Sequence, residues 1–204
     1  MARQAAASAA ACIFATSSAT NQTVGTMTLE TIKDSIPDYA RDLKLNLGTV
    51  LTPQGSPGLT PVQIWSLALA TAIAARNVAF ARSIEELARQ QLDAAHLNAA
   101  RAAAAIMGMN NVYYRFLHLV EDEEYQSLPA RLRMNVIGNP GIEQDDFELL
   151  SLAVSAVNGC GLCITAHERK LRAHGVSRET IQSAVRIASS VHAVAGVLEF
   201  AEAA

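Results

Sequence analysis

The residues best equipped for chemistry lie in Asn158-Gly159-Cys160-Gly161-Leu162-Cys163-Ile164-Thr165-Ala166-His167-Glu168. Cys160 and Cys163 form a Cys-x-x-Cys, and His167 follows the second cysteine by four residues. If Cys160 to Lys170 is helical, Cys160, Cys163 and His167 stand at i, i+3 and i+7 and share one face. Gly159 suits a helix break, after which unpaired backbone N–H groups favour a thiolate. His167, one turn beyond Cys163, is placed to accept a thiol proton. These are the minimal parts of a redox-active dithiol with its own base.

The same residue types have other uses. Zinc would need two more ligands, and His167, His174 and His192 are the candidates, although no second Cys-x-x-Cys or His-x3-His is present. Two buried structural cysteines three apart in number would be inert. A thioredoxin-type dithiol requires a βαβ setting. The redox dithiol is the favoured reading. Glu148, twelve residues before Cys160, could orient His167 and support its proton transfer. Its plainer reading is a glutamate placed near a helix N-terminus by the macrodipole.

The elements that must hold these residues are helical. Half of the 204 residues are apolar, only 5% are aromatic, and alanine is abundant, which favours closely packed helices over sheet. A formal charge of -3 lacks the basic face of a nucleic-acid binder. Two cysteines at this spacing in a chain of this length are no secreted disulfide framework. The apolar run Ala99 to Met109 is interrupted by Arg101 and Ser66 to Ala75 is short, so the sequence is read as having no membrane span.

Met1 to Thr26 has a different character, with Arg3 its single charge and Ala, Ser and Thr dominating. It is read as a disordered extension or a start set ahead of Met27; a weakly apolar secretory or lipoprotein signal with Cys12, and a transit peptide short of arginine, are the alternatives. From Met27 the chain reads as one all-α domain to residue 204. An amphipathic helix over Thr28–Leu47 is divided by Pro37 near Ser35. Thr60-Pro61 opens a helix with Gln63 completing a capping box. Ser83–Gln91 and Asp93–Met107 follow, with Met107-Gly108-Met109-Asn110-Asn111 closing the latter. Asn139-Pro140-Gly141 is a turn. Asp145 or Asp146 caps a helix through Phe147 to Val157, and Ser177 caps the last helix, which runs to about Phe200.

An internal repeat divides the domain at about 27–118 and 119–204. Leu43-Lys44-Leu45-Asn46-Leu47 matches Leu132-Arg133-Met134-Asn135-Val136 at a spacing of 89. The spacing then becomes 85, pairing Ser66-Leu67-Ala68 with Ser151-Leu152-Ala153, Arg101 with Arg186, and Val112 with Val197. In that register Cys160, Cys163 and His167 face Ala75, Val78 and Arg82, so the chemistry belongs to one copy of a shared packing scaffold.

The segments Phe147-Glu148-Leu149, Ala153 to Cys163 and Ala166-His167-Glu168 resemble the alkyl hydroperoxide reductase AhpD family, as do Ile106 to Arg115, Leu132 to Ile137 and Asn139-Pro140-Gly141-Ile142. The resemblance covers Met27 to about Ala201. It implies a duplicated all-helical fold assembling as a homotrimer, and a cytoplasmic antioxidant protein with no bound cofactor or metal. It implies weak alkyl hydroperoxidase activity and a peroxiredoxin partner, AhpC, whose disulfide the protein reduces. Electrons would come from NADH through dihydrolipoamide dehydrogenase and the dihydrolipoamide of lipoylated dihydrolipoamide succinyltransferase. Cys163 would match the nucleophile that becomes a sulfenic acid, Cys160 the proton donor and resolving thiol that closes the redox disulfide, and Glu148 and His167 the proton relay. This chain carries Leu162 where family members often have a histidine, so its activity rests on Glu148 and His167.

Helix-terminus electrostatics favour Cys160 as the more acidic thiol, whereas the i, i+4 placement of His167 favours Cys163. Cys163 is the expected attacking thiol, because a positioned base removes the proton at the moment of attack. Three functions stay open: a direct peroxidase, an electron-transfer adaptor acting on another protein's disulfide, and the ring-opening decarboxylation of the related carboxymuconolactone decarboxylases, against which the cysteine pair argues.

Overall fold

A computed structural model describes residues 27–120 and 122–202, so the expectations for residues 1–26 lie outside the described residues. Ten α-helices and one 3-10 turn carry those residues, with no strand among them. The order is α1 (Leu29–Asp34), a 3-10 turn (Asp38–Ala40), α2 (Arg41–Val50), α3 (Pro61–Ala74), α4 (Val78–Ala88) and α5 (Ala94–Leu119). Then follow α6 (Glu123–Ser127), α7 (Asn135–Gly138), α8 (Gln144–Asn158), α9 (Gly161–Ala173) and α10 (Arg178–Glu202). The first amphipathic stretch is split at Ser35–Pro37, as proline requires. Thr60 and Gln63 form the expected capping box on α3.

Helix boundaries depart from the sequence reading in three places. The helix expected from Ser83 begins at Val78, because Asn77 accepts the Phe80 N–H at 2.8 Å and caps it. The helix expected to close at Met107–Asn111 continues as α5 to Leu119. Gly108, Asn110 and Asn111 are poor helix formers, but Met107, Asn110 and Asn111 are buried against the rest of the fold, and that packing overrides local propensity. Glu143 is the backbone N-cap of α8, and Asp145 and Asp146 lie inside its first turn.

Helices α3 and α8 lie at the centre, packed on each other and on the long helices α5 and α10. Their fully buried side chains include Leu67, Leu69, Phe147, Leu149, Leu150 and Leu152, with alanines 68, 70 and 153 permitting close approach. Helix α10, which the sequence reading did not count as a span, is long and apolar enough to cross a membrane by length and composition. In this fold it packs on α2, α3 and α8 and buries Ala184, Ile187, Ala188, Val191 and Val194 in the core.

Helices α3, α4 and α5 have counterparts of similar length in α8, α9 and α10. Their caps set a register of 83 rather than 85: Thr60 and Glu143 are 83 residues apart, as are Asn77 and Cys160. Arg76, at φ 68°, takes the left-handed position that Gly159 holds at φ 69°. The places of Cys160, Cys163 and His167 are therefore filled by Asn77, Phe80 and Ile84 in the first half. Alanine- and leucine-rich helix interiors match in several registers, whereas a cap is pinned by its backbone geometry. The matched motifs at Leu43 and Leu132 also diverge: the first is inside α2, while 132–134 is irregular chain leading into α7.

Candidate active site

The dithiol is positioned by a helix junction with no linker. Gly159 ends α8 in the left-handed conformation; its N–H bonds to the Ala156 carbonyl at 3.2 Å and that of Cys160 to the Ser155 carbonyl at 3.1 Å. This is the Schellman arrangement, which favours glycine at the left-handed residue. Cys160 is at once the residue that closes α8 and the N-cap of α9. Its Sγ accepts the Cys163 backbone N–H at 3.3 Å, placing sulfur where unpaired helix N–H groups converge. The two cysteines are joined as a disulfide with Cα atoms 5.3 Å apart. Cys160 is fully buried, and Cys163 is 7% exposed.

Behind the pair, α8 and α9 bring Glu148 and His167 together. His167 Nδ1 lies 2.6 Å from Glu148 Oε2, which leaves Nε2 as the nitrogen available for chemistry. Lys170 Nζ donates to Glu148 Oε1 at 2.6 Å, and Gln144 Nε2 donates to the same oxygen at 3.2 Å. Gln144 also donates to the Ile137 carbonyl, tying α7 to this group. Burial pulls the Glu148 carboxyl pKa upward, but hydrogen bonds and charge from His167 and Lys170 outweigh it and hold the value at about 2. Glu148 is thus a buried carboxylate held by His167 and Lys170, not a free helix-end charge.

Cys163 and His167 open onto a pocket of about 370 Å³ between α5, α7 and α9. Met107 and Tyr114 from α5, Met134 and Ile137 from the opposite wall, and Leu162 and Ala166 from α9 make it largely apolar. That volume is at the small end of ligand pockets. Asn110 also lines it; its residue is 4% exposed and its Oδ1 is sealed without a partner. A sealed unsatisfied carbonyl costs about 1–3 kcal/mol.

A polar brace fixes the junction from the other side. Asn111 Nδ2 donates to Ser155 Oγ at 2.9 Å, Asn158 Nδ2 donates to Asn111 Oδ1 at 2.9 Å, and Arg115 donates to the Asn158 carbonyl at 2.7 Å. The structure therefore assembles all four residues expected from the sequence, Cys160, Cys163, His167 and Glu148. It adds Gln144, Lys170, Asn110, Asn111, Asn158 and Arg115, which sequence reasoning missed. The adjacent asparagines in an otherwise alanine-rich helix were the legible signal, since asparagine inside a helix needs a reason. The histidines considered for zinc go elsewhere: His174 pairs with Asp145, and His192 lines a separate cleft with Arg76 and Arg115.

A model of the carboxymuconolactone decarboxylase family matches residues 123–204, the segment that contains α8, α9 and α10. The chain is 60% identical over 178 residues to the alkyl hydroperoxide reductase AhpD of Rhodospirillum centenum (strain ATCC 51521 / SW), covering 87% of this chain and 94% of that protein. The protein of the same name from Frankia alni (strain DSM 45986 / CECT 9034 / ACN14a) is 56% identical over 176 residues, 86% of this chain and 94% of the relative. That of Coxiella burnetii (strain Dugway 5J108-111) is 55% identical over 169 residues, 83% and 96% of the two chains.

Proposed function

This chain belongs to the AhpD family of alkyl hydroperoxide reductases, and from that membership we propose that it is an antioxidant, dithiol-dependent alkyl hydroperoxidase that also reduces the peroxiredoxin AhpC. The observation that carries the proposal is the Glu148–His167 pair at 2.6 Å, set beside a Cys160–Cys163 pair of which only Cys163 reaches the pocket. The decarboxylase name of the family model would call for different chemistry, and the cysteine pair argues against it.

In the reduced protein His167 Nε2 takes the Cys163 proton while Glu148 holds Nδ1 and balances the resulting imidazolium. The Cys163 thiolate attacks the terminal oxygen of ROOH; an S–O bond forms, the O–O bond breaks, and the departing alkoxide takes its proton from His167. Cys163 is left as a sulfenic acid. Cys160, whose sulfur the N-cap position favours for attack, then attacks the Cys163 sulfur; its thiol proton passes to the departing hydroxide, which leaves as water, and the disulfide closes. Dihydrolipoamide restores the dithiol: its thiolate attacks Cys163, Cys160 leaves, and the second lipoyl thiol closes the lipoyl disulfide. Entry at Cys163 follows from the full burial of Cys160.

The partners in this reading are AhpC, lipoylated dihydrolipoamide succinyltransferase and dihydrolipoamide dehydrogenase, with a cytoplasmic homotrimer as the working form and no membrane or nucleic-acid role. The second reading is an adaptor with negligible direct peroxidase activity. It draws on Leu162, 42% exposed at the pocket rim, which gives an apolar contact for a protein carrying a disulfide. One assay separates the two: NADH oxidation by the purified protein with dihydrolipoamide dehydrogenase, lipoamide and cumene hydroperoxide, with and without AhpC. Turnover without AhpC supports the peroxidase, and a gain of more than about tenfold with it supports the adaptor. No turnover in either mixture refutes both.

A further inference from the structure

Asn110 is a buried amide of the Cys163 pocket that neither the cysteine pair nor the Glu148–His167 relay accounts for. On α5 it stands between Met107 and Tyr114, at i−3 and i+4, so all three share the pocket-facing side of the helix. The neighbouring Asn111 points away and is fully engaged with Ser155 and Asn158. Asn110 Oδ1 is sealed without a partner. Its Nδ2 makes no hydrogen bond among the described residues, and the residue lines the pocket, which leaves the amide N–H as an unengaged donor on that wall. A leucine at this site would complete the apolar wall. An unengaged amide retained there points to a ligand with an acceptor.

We propose that Asn110 is a further catalytic residue, whose side-chain N–H donates to the hydroperoxide oxygen that leaves as the alkoxide. This rests on the direct-peroxidase reading above. As the Cys163 thiolate bonds to the terminal oxygen and the O–O bond breaks, the electron pair passes to the oxygen bearing the alkyl group. Cys163 and His167 reach the pocket from α9, and Asn110 faces them from α5. The amide therefore stabilises the developing charge until His167 returns the proton. A fixed donor aimed at developing charge in an apolar pocket is worth more than the same donor in water. Reactions whose leaving group is a sulfur gain little from it, because sulfur is a weak acceptor.

The test uses the reduced full-length protein, as wild type, Asn110→Leu and Asn110→Ala, in stopped-flow reactions with cumene hydroperoxide and with 4,4′-dithiodipyridine. Both reagents consume the Cys163 thiolate, but only the first expels an alkoxide. The expected result is a loss of about 10- to 100-fold in the second-order rate constant for the hydroperoxide, with the disulfide reagent changed by less than about threefold. Equal losses with both reagents, unchanged rates with both, or failure of both variants to fold would each make Asn110 structural and overturn the proposal. A wild type that reacts with the disulfide reagent but not the hydroperoxide would overturn the direct-peroxidase reading, and the Asn110 role with it. Failure confined to the variants leaves the peroxidase reading intact.

Discussion

Replacing Glu148 by glutamine keeps the shape of the side chain and removes the charge that His167 and Lys170 share. The carboxyl is held at about 2 against an ordinary 4.5. That difference corresponds to about 3 kcal/mol favouring the ionised form in the fold, since each unit is worth about 1.4 kcal/mol. Without the carboxylate, the imidazolium that forms when His167 takes the Cys163 proton loses its counter-charge, which is expected to slow the proton-transfer step about tenfold or more. Glu148→Gln is expected to lower kcat/KM for cumene hydroperoxide about 10- to 100-fold. Glu148→Ala, which also frees the imidazole to rotate, is expected to fall further, within the range of 10²–10⁴ usual for lost acid–base assistance. The rate of Cys163 alkylation by iodoacetamide in the reduced protein should fall in parallel. Stability supplies an independent reading with a defined sign. A carboxyl whose folded pKa is depressed stabilises the fold above its unfolded pKa, and the contribution disappears as pH falls through the folded value. The gap in unfolding free energy between wild type and Glu148→Gln should therefore be full above about pH 4.5 and close towards pH 2. Turnover and alkylation within twofold of wild type would refute the relay and leave Glu148 as a buried packing charge.

Two further perturbations address the cysteines and their setting. Cys163→Ser should abolish both hydroperoxide consumption and AhpC reduction, whereas Cys160→Ser should stop after one turnover with a sulfenic acid on Cys163, seen as a dimedone adduct by mass spectrometry; an unadducted protein that keeps turning over would exchange the two roles. Gly159→Ala forces a side chain into φ 69°, and with no atom within 4 Å of the added methyl the expected loss is backbone strain alone, about 1–2 kcal/mol by urea unfolding. A loss near zero would mean that the junction relaxes out of the left-handed conformation.

The sequence by itself determined the all-α class, the capping box at Thr60, the break at Pro37 and the cysteine–histidine spacing. Each of these depends on residues within about one helical turn, where covalent geometry and side-chain chemistry leave few choices. It also marked Glu148 through family resemblance, but spacing alone left that residue as an ordinary helix-end charge. Only the tertiary structure decided that Glu148 is buried, with His167 and Lys170 nineteen and twenty-two residues ahead brought to its two oxygens. It also carried α5 through Gly108–Asn111, since the gain from burying that stretch against α8 outweighs a propensity deficit of about 1 kcal/mol at the glycine. The different exposure of the two cysteines was decided in the same way. Sequence electrostatics pointed to Cys160 and the histidine to Cys163; the fold seals the first and opens the second to a pocket, because accessibility is set by what α5 and α7 bring across from elsewhere in the chain.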